Sequence, residues 1–146
     1  MKREIWFDMD GTIANLYGET EWLKDIKNEK VRPYENAKVM VNMQVLARVL
    51  NRLTREGYAI GVITWTARGG TKEYNNEVAK AKRKWLNTHL ATVKFNTIHV
   101  IEYGVPKWTM ATDRNAILFD DEERNRKEWK GIAYDEKNII EVLKKL

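Results

Sequence analysis

The sequence predicts an α/β protein with a central, mostly parallel five-stranded sheet covered by helices in three layers. Three observations predict it. Five short apolar runs alternate with segments of helical periodicity, as repeated strand–helix crossovers require. The longest run, residues 58–64, is almost continuously apolar, which fits a strand covered on both faces. Polar, chemistry-bearing residues follow the ends of these runs, where such sheets bind ligands.

The first strand is residues 4–8, stopped by Asp10 and Gly11. Residues 13–35 are polar and irregular. Trp22, Leu23 and Ile26 suit one short helical turn, and 31–34 read as a loop around Pro33. Residues 36–56 are expected to form a helix. Ala37, Met40, Val41, Val45, Val49 and Leu53 recur at helical spacing, Leu46 and Leu50 widen the stripe, and Gly57 ends it. The strand at 58–64 follows, then a loop at 67–70.

Thr71 is placed to cap a helix over 72–90. Tyr74, Val78, Ala81, Trp85 and His89 form its inner face, and Lys80, Lys82, Arg83 and Lys84 crowd the other side. Strands at 98–101, 116–120 and 131–134 complete the sheet. A small helix at 122–130 and a closing helix at 138–146 complete the chain.

A length of 146 residues suits one ordinary domain, and the whole chain, 1–146, is read as one. No apolar run is long enough to span a bilayer, and the acid at Glu4 interrupts any export-type apolar stretch, so no membrane partner is expected. Cysteine is absent, which excludes disulfides, thiolate nucleophiles and thiolate metal sites, and suits a reducing cytoplasm. His89 and His99 lack a second histidine at ligand spacing, so both are assigned to packing. Lys and Arg total 26 against 21 Asp and Glu, a formal charge of +5 that favours an anionic partner.

The strand ends carry the chemistry. Asp8 and Asp10 lie two apart and point the same way if extended, so repulsion raises one pKa unless a cation intervenes. Such a pair supplies a nucleophile and a proton donor. Gly11 permits the tight turn after them. Thr64 ends the second apolar run, with Trp65 and Thr66 next. Asp120 and Asp121 end the fourth, and their oxygens suit Mg²⁺, which binds through few carboxylates and keeps phosphate and water oxygens. Lys107, between the third and fourth strands, has the charge to neutralise a nucleophilic carboxylate and a phosphate together.

The ordered set Asp8-Met9-Asp10-Gly11-Thr12, Thr64, Lys107, Asp120-Asp121 resembles the haloacid dehalogenase superfamily of phosphotransferases, over residues 4 to about 135. Within it, the first and last motifs look like those of small 5′(3′)-deoxyribonucleotidases and phage-type phosphatases. The resemblance implies a Rossmann-like core with a minimal cap, for which residues 13–35 are the only candidate.

It also implies roles. Asp8 is the expected nucleophile and Asp10 the general acid/base. Met9 offers a backbone amide, and the Asp10 carbonyl joins Asp8, Asp120 and Asp121 around Mg²⁺. Thr64 binds the transferring phosphoryl, with Thr66, in Thr66-Ala67-Arg68, as its competitor. Lys107 holds the phosphate and steadies Asp8. Gly11, Thr12, Trp65, Thr66 and Arg68 fall on the substrate side.

The expected activity is Mg²⁺-dependent hydrolysis of a phosphomonoester on a nucleotide or nucleic-acid end, through an aspartyl-phosphate. Trp22, Tyr34, Trp65 and Trp108 are candidates for stacking on a base. Two rivals are a phosphatase of a small non-nucleotide metabolite and a non-catalytic nucleic-acid binder using Lys72, Lys80, Lys82, Arg83 and Lys84. The lack of a roofing domain fits a large substrate or an oligomer in which a partner subunit completes the lid.

Overall fold

A computed structural model describes residues 3–146. The main sheet has the order β5-β4-β1-β6-β7, and all its pairings are parallel. Its strands are β1 (Glu4–Phe7), β4 (Ala59–Trp65), β5 (Thr97–Ile101), β6 (Ile117–Phe119) and β7 (Ile132–Tyr134). The helices are α1 (Trp22–Lys27), α2 (Arg32–Asn36), α3 (Met43–Arg55), α4 (Lys72–His89), α5 (Glu123–Glu128) and α6 (Ile139–Lys144). A small antiparallel pair, β2 (Ala14–Asn15) with β3 (Lys38–Val39), stands apart from the main sheet.

Strand β1 is central and buried throughout, which explains its apolar composition. Alternate residues go to different clusters. Ile5 and Phe7 join Leu46, Leu50 and Leu53 of α3 and Val62 of β4, whereas Trp6 joins Ile63, Leu118 and Trp129. Burying each such side chain contributes about 1.5–3 kcal/mol, more than any exposed ion pair on this surface. Gly61 stands opposite Trp6 in the register, and a Cβ there would collide with the indole ring. The glycine in β4 is thus a packing requirement.

Two expectations for 31–56 are corrected. The helix expected from residue 36 begins at Met43, where the Asn42 side chain accepts the Val45 N–H at 3.1 Å. Before it, Lys38 and Val39 pair with Asn15 and Ala14, and Met40 N–H donates to Ile13 O. Ala37 reaches the core from this non-helical stretch, so its helical spacing is coincidental. The loop expected at 31–34 contains the start of α2, with Pro33 in its first turn, where the missing N–H costs no hydrogen bond.

The histidines pack as expected, His99 stacked on Trp6 at 5.6 Å and His89 tilted on Trp85 at 4.4 Å. Among the described residues, no helix is long and apolar enough to cross a membrane.

Because β1 lies between β4 and β6, the carboxyl ends of all three are neighbours. The chain leaves β1 toward β4 and β5 on one side and returns to β6 and β7 on the other. Ligands bind at such a reversal in parallel sheets.

Candidate active site

Strand β1 delivers Asp8 to the sheet edge, where Asp8 N–H donates to Phe119 O at 2.9 Å. The chain then turns tightly. Met9 O accepts the N–H groups of Thr12, Ile13 and Ala14, each at 3.0 Å, and Gly11 adopts φ +81°. A side chain at Gly11 would overlap the Asp121 carboxylate and the Tyr17 ring, so the glycine also allows these groups to approach. Met9 is buried, and among the described residues no acceptor takes its N–H.

Lys107 is the electrostatic centre. It begins a 3-10 turn, Lys107–Met110, and only 3% of it is exposed. Its Nζ donates to Asp8 Oδ1 at 2.7 Å and Asp120 Oδ2 at 2.8 Å. These two acids hold the lysine's pKa above its ordinary value, although burial opposes them. The segment is anchored at its far end by the buried Glu4 carboxylate, which accepts from Thr112 N–H, Thr112 hydroxyl and Trp6 Nε1.

Asp120 and Asp121 lie between β6 and α5. Arg126 Nη1 fixes this turn by donating to Asp120 O and Asp121 O at 2.9 and 2.8 Å. Asp120 also accepts from Glu122 N–H and Asn125 Nδ2. Asp121 has no cation partner among the described residues. The Thr12 hydroxyl lies 2.9 Å from Asp8 Oδ2 and 3.1 Å from Asp121 Oδ1, and it accepts Asp121 N–H at 3.1 Å.

Asp8, Asp120 and Asp121 each place one oxygen within 4.8 Å of the others. Three hard oxygens around a partly neutralised pocket are the donors Mg²⁺ takes. The crowding appears in the proton affinities. Burial and the Asp8 charge push Asp121 up to about 8 and Asp120 up to about 6.

The sequence pattern puts Lys82 with Lys80, Arg83 and Lys84 on the outer side of α4, and its position in the structure corrects that expectation. It is 1% exposed, and its Nζ donates to Asp10 Oδ2 at 2.8 Å, Thr64 Oγ1 at 2.6 Å and Trp65 O at 2.7 Å. A signal existed. Position 82 follows Val78 by four and precedes Trp85 by three, so it belongs to the inner stripe. Burial raises the pKa of Asp10 overall, although Lys82 opposes that rise.

The two threonines differ in access. Thr64 has no exposed surface, and its hydroxyl is engaged by Lys82. Thr66 borders the cavity, and its backbone N–H is held by Ile101 O at 2.8 Å.

A cavity of about 560 Å³ opens above these groups. Its floor includes Asp8, Asp10 and Lys107. Its walls include Trp22, Tyr34, Trp65 and Arg68, and also Tyr17 and Tyr103. Tyr17 packs edge-on against Trp22 and Trp65 lies tilted against Tyr103, both with ring centres 4.9 Å apart. Arg68 lies 5.8 Å from the Tyr103 ring centre. Trp108 is not part of the wall. It borders a separate shallow hollow, with Lys130 Nζ 4.8 Å from its ring centre.

No family model and no curated protein matches the chain. Among solved structures it is similar to the D,D-heptose 1,7-bisphosphate phosphatase of Burkholderia thailandensis, with a TM-score of 0.54 and 15% identity. The match covers 86% of this chain and 70% of that one. The protein thus shares the α/β fold of that phosphatase.

Proposed function

We propose that the protein is a Mg²⁺-dependent phosphomonoester hydrolase of the haloacid dehalogenase type, working through an aspartyl-phosphate. The observation that carries this reading is the buried Lys107 bridge between Asp8 and Asp120, on the floor of an open cavity with Asp10 beside it.

Asp8 attacks phosphorus while the bond to the leaving oxygen breaks, and Asp10 gives its proton to that oxygen. Water then attacks phosphorus, Asp10 takes the water's proton, and the Asp8 carboxylate leaves. Lys82 aims Asp10. Lys107 holds Asp8 and neutralises the charge that gathers around the phosphoryl group. The Met9 amide and the Thr66 hydroxyl are the donors assigned to the phosphoryl oxygens, and Thr66 is preferred to Thr64 because it borders the cavity. Asp8, Asp120, Asp121 and the Asp10 carbonyl are the groups to hold Mg²⁺, which when bound neutralises and orients the transferring phosphoryl group.

The substrate class proposed is a nucleotide or a nucleic-acid end. Two aromatic pairs on the cavity wall support it, since stacking recognises a planar base. The similar fold of a sugar bisphosphate phosphatase keeps a small non-nucleotide phosphate as the second reading. Little supports nucleic-acid binding along α4. Lys82 is interior, Lys80 pairs with Glu77, and Arg83 is tied to Ile98 O. A cysteine-free chain fits a cytoplasmic setting.

The test is phosphate release from mononucleotides, phosphorylated oligonucleotides and sugar phosphates, with Mg²⁺ or with EDTA, by the native protein and Asp8→Asn. Metal-dependent release by the native protein alone is expected. Equal release by both proteins contradicts the assignment.

A further inference from the structure

We propose that Arg32, remote from the reacting carboxylates, is a positioning residue that sets the leaving-group wall of the cavity and so selects substrates with a large leaving group. This rests on the phosphomonoester reading above, with residues 13–35 as a flap.

Helix α1 supplies Trp22, Leu23, Ile26 and Lys27 to the cavity wall. Within α1 only Trp22 and Ile26 pack on the core, against the cluster of Leu16, Tyr34 and Tyr74, and both are only partly buried. The helix has six residues and no fully buried side chain, and Glu21, the residue before it, makes no side-chain cap. So short a helix does not persist alone in water. Glu29, just beyond its end, has φ +55° as part of the helix's own closing turn, with Glu29 N–H on Ile26 O at 2.9 Å and Lys30 N–H on Asp25 O at 2.8 Å. Glu21, just before its start, also has φ +55°, an uncommon conformation for a residue with a Cβ. The entry to α1 at Glu21 is therefore the part that needs support from outside the helix.

Arg32 is placed to supply it. Its Nε donates to Asp25 Oδ2 at 2.7 Å, its Nη1 to Glu19 Oε1 at 3.2 Å and its Nη2 to Thr20 O at 2.7 Å. One guanidinium thus ties the segment entering α1 to the middle of the helix itself. The two carboxylates are only 13% exposed, and although the Arg32 side chain is 41% exposed, its three bonds to separate groups hold it more firmly than a single surface pair. Arg32 begins α2, which carries Tyr34, and α2 packs on α4. The tie therefore transmits the position of the core to the wall formed by α1. No bond of Arg32 reaches Asp8, Asp10 or Lys107, so its loss removes the wall's support without disturbing the reacting groups.

The test compares two substrates. Acetyl phosphate has a leaving group too small to use the wall, whereas a 5′-deoxynucleoside monophosphate reaches it. For Arg32→Ala the expected result is a KM for the nucleotide raised at least about tenfold. The kcat/KM for acetyl phosphate and the Mg²⁺ affinity stay at parent values, and amide exchange quickens within 22–27. Arg32→Lys, which keeps the charge but not the fork, recovers only part of the loss. If Arg32→Ala does not fold, Asp25→Asn and Glu19→Gln loosen the same tie one bond at a time, and the same substrate-selective rise is expected. Equal losses on both substrates, or no loss on either, overturn the inference and leave the phosphatase reading intact. A parent protein that hydrolyses neither substrate overturns the inference together with the nucleotide reading.

Discussion

Lys82 Nζ lies 2.8 Å from Asp10 Oδ2, joining the middle of α4 to the turn after β1 across 72 residues of sequence. This contact sets the direction of the candidate acid/base. Thr64 Oγ1 and Trp65 O complete the ammonium's shell and leave it no freedom to turn elsewhere.

Removing that ammonium should impair proton transfer more than substrate binding. For Lys82→Met we expect kcat to fall about 10²-fold, the usual contribution of a placed general acid, with a smaller change in KM. Lys82 lowers the pKa of Asp10, so its loss raises that pKa further and moves the basic limb of the kcat–pH profile to higher pH. An unchanged profile would mean that Lys82 only fills space.

Lys107 neutralises two buried acids, so its removal leaves like charges facing each other. Lys107→Met should destabilise the metal-free protein by about 3–5 kcal/mol, the cost of breaking a buried ion pair from one side. Added Mg²⁺ should recover part of the loss. Urea unfolding with and without the metal measures this, and an equal loss in both conditions would place the metal elsewhere.

Metal binding should be coupled to protons. Asp121 is pushed up to about 8 by burial and by Asp8, and Asp120 to about 6 by burial and Asp8. Both lie above the ordinary 3.8, so the metal-free fold keeps protons that the unfolded chain releases. The stability from these groups is complete below pH 3.8 and is lost as pH rises through about 6 and then about 8. Mg²⁺ must displace the same protons, so its affinity should increase toward pH 8 and then level off. Calorimetric titration in buffers of different ionisation enthalpy measures the released protons. A pH-independent affinity would contradict a site among these carboxylates.

The two threonines should separate by phenotype. Thr66→Val removes a donor at the cavity and should lower kcat/KM about 10²-fold with little change in stability. Thr64→Val leaves part of the Lys82 shell unpaired and should cost about 1–3 kcal/mol of folding stability. Paired thermal melts and kinetics decide between them, and the reverse pattern would restore Thr64 as the phosphoryl contact.

Much of the fold was legible because strand and helix alternation is a local pattern. The five runs ending near Asp8, Thr64, Ile101, Asp120 and Tyr134 became the five strands. The parallel order then brings Asp8 and Asp120 to one edge. What escaped the sequence depends on tertiary choice. Ala37, Met40 and Val41 have helical spacing, but β2 holds that stretch extended. Lys82 occupies an apolar stripe, and the Asp10 carboxylate with Thr64 Oγ1 and Trp65 O at its end makes its burial tolerable. Tyr17 lies in a short 3-10 turn, Leu16–Gly18, and Tyr103 in a loop, neither with a periodic signal, so their meeting on one cavity wall could not be read.

The most direct test of the central claim is the mass of the acid-quenched protein after brief mixing with Mg²⁺ and a turned-over phosphomonoester. The account predicts one added phosphoryl group on the peptide containing Asp8, lost on treatment with hydroxylamine and absent from Asp8→Asn. Phosphate release with the label on another residue, or unimpaired turnover by Asp8→Asn, would contradict it.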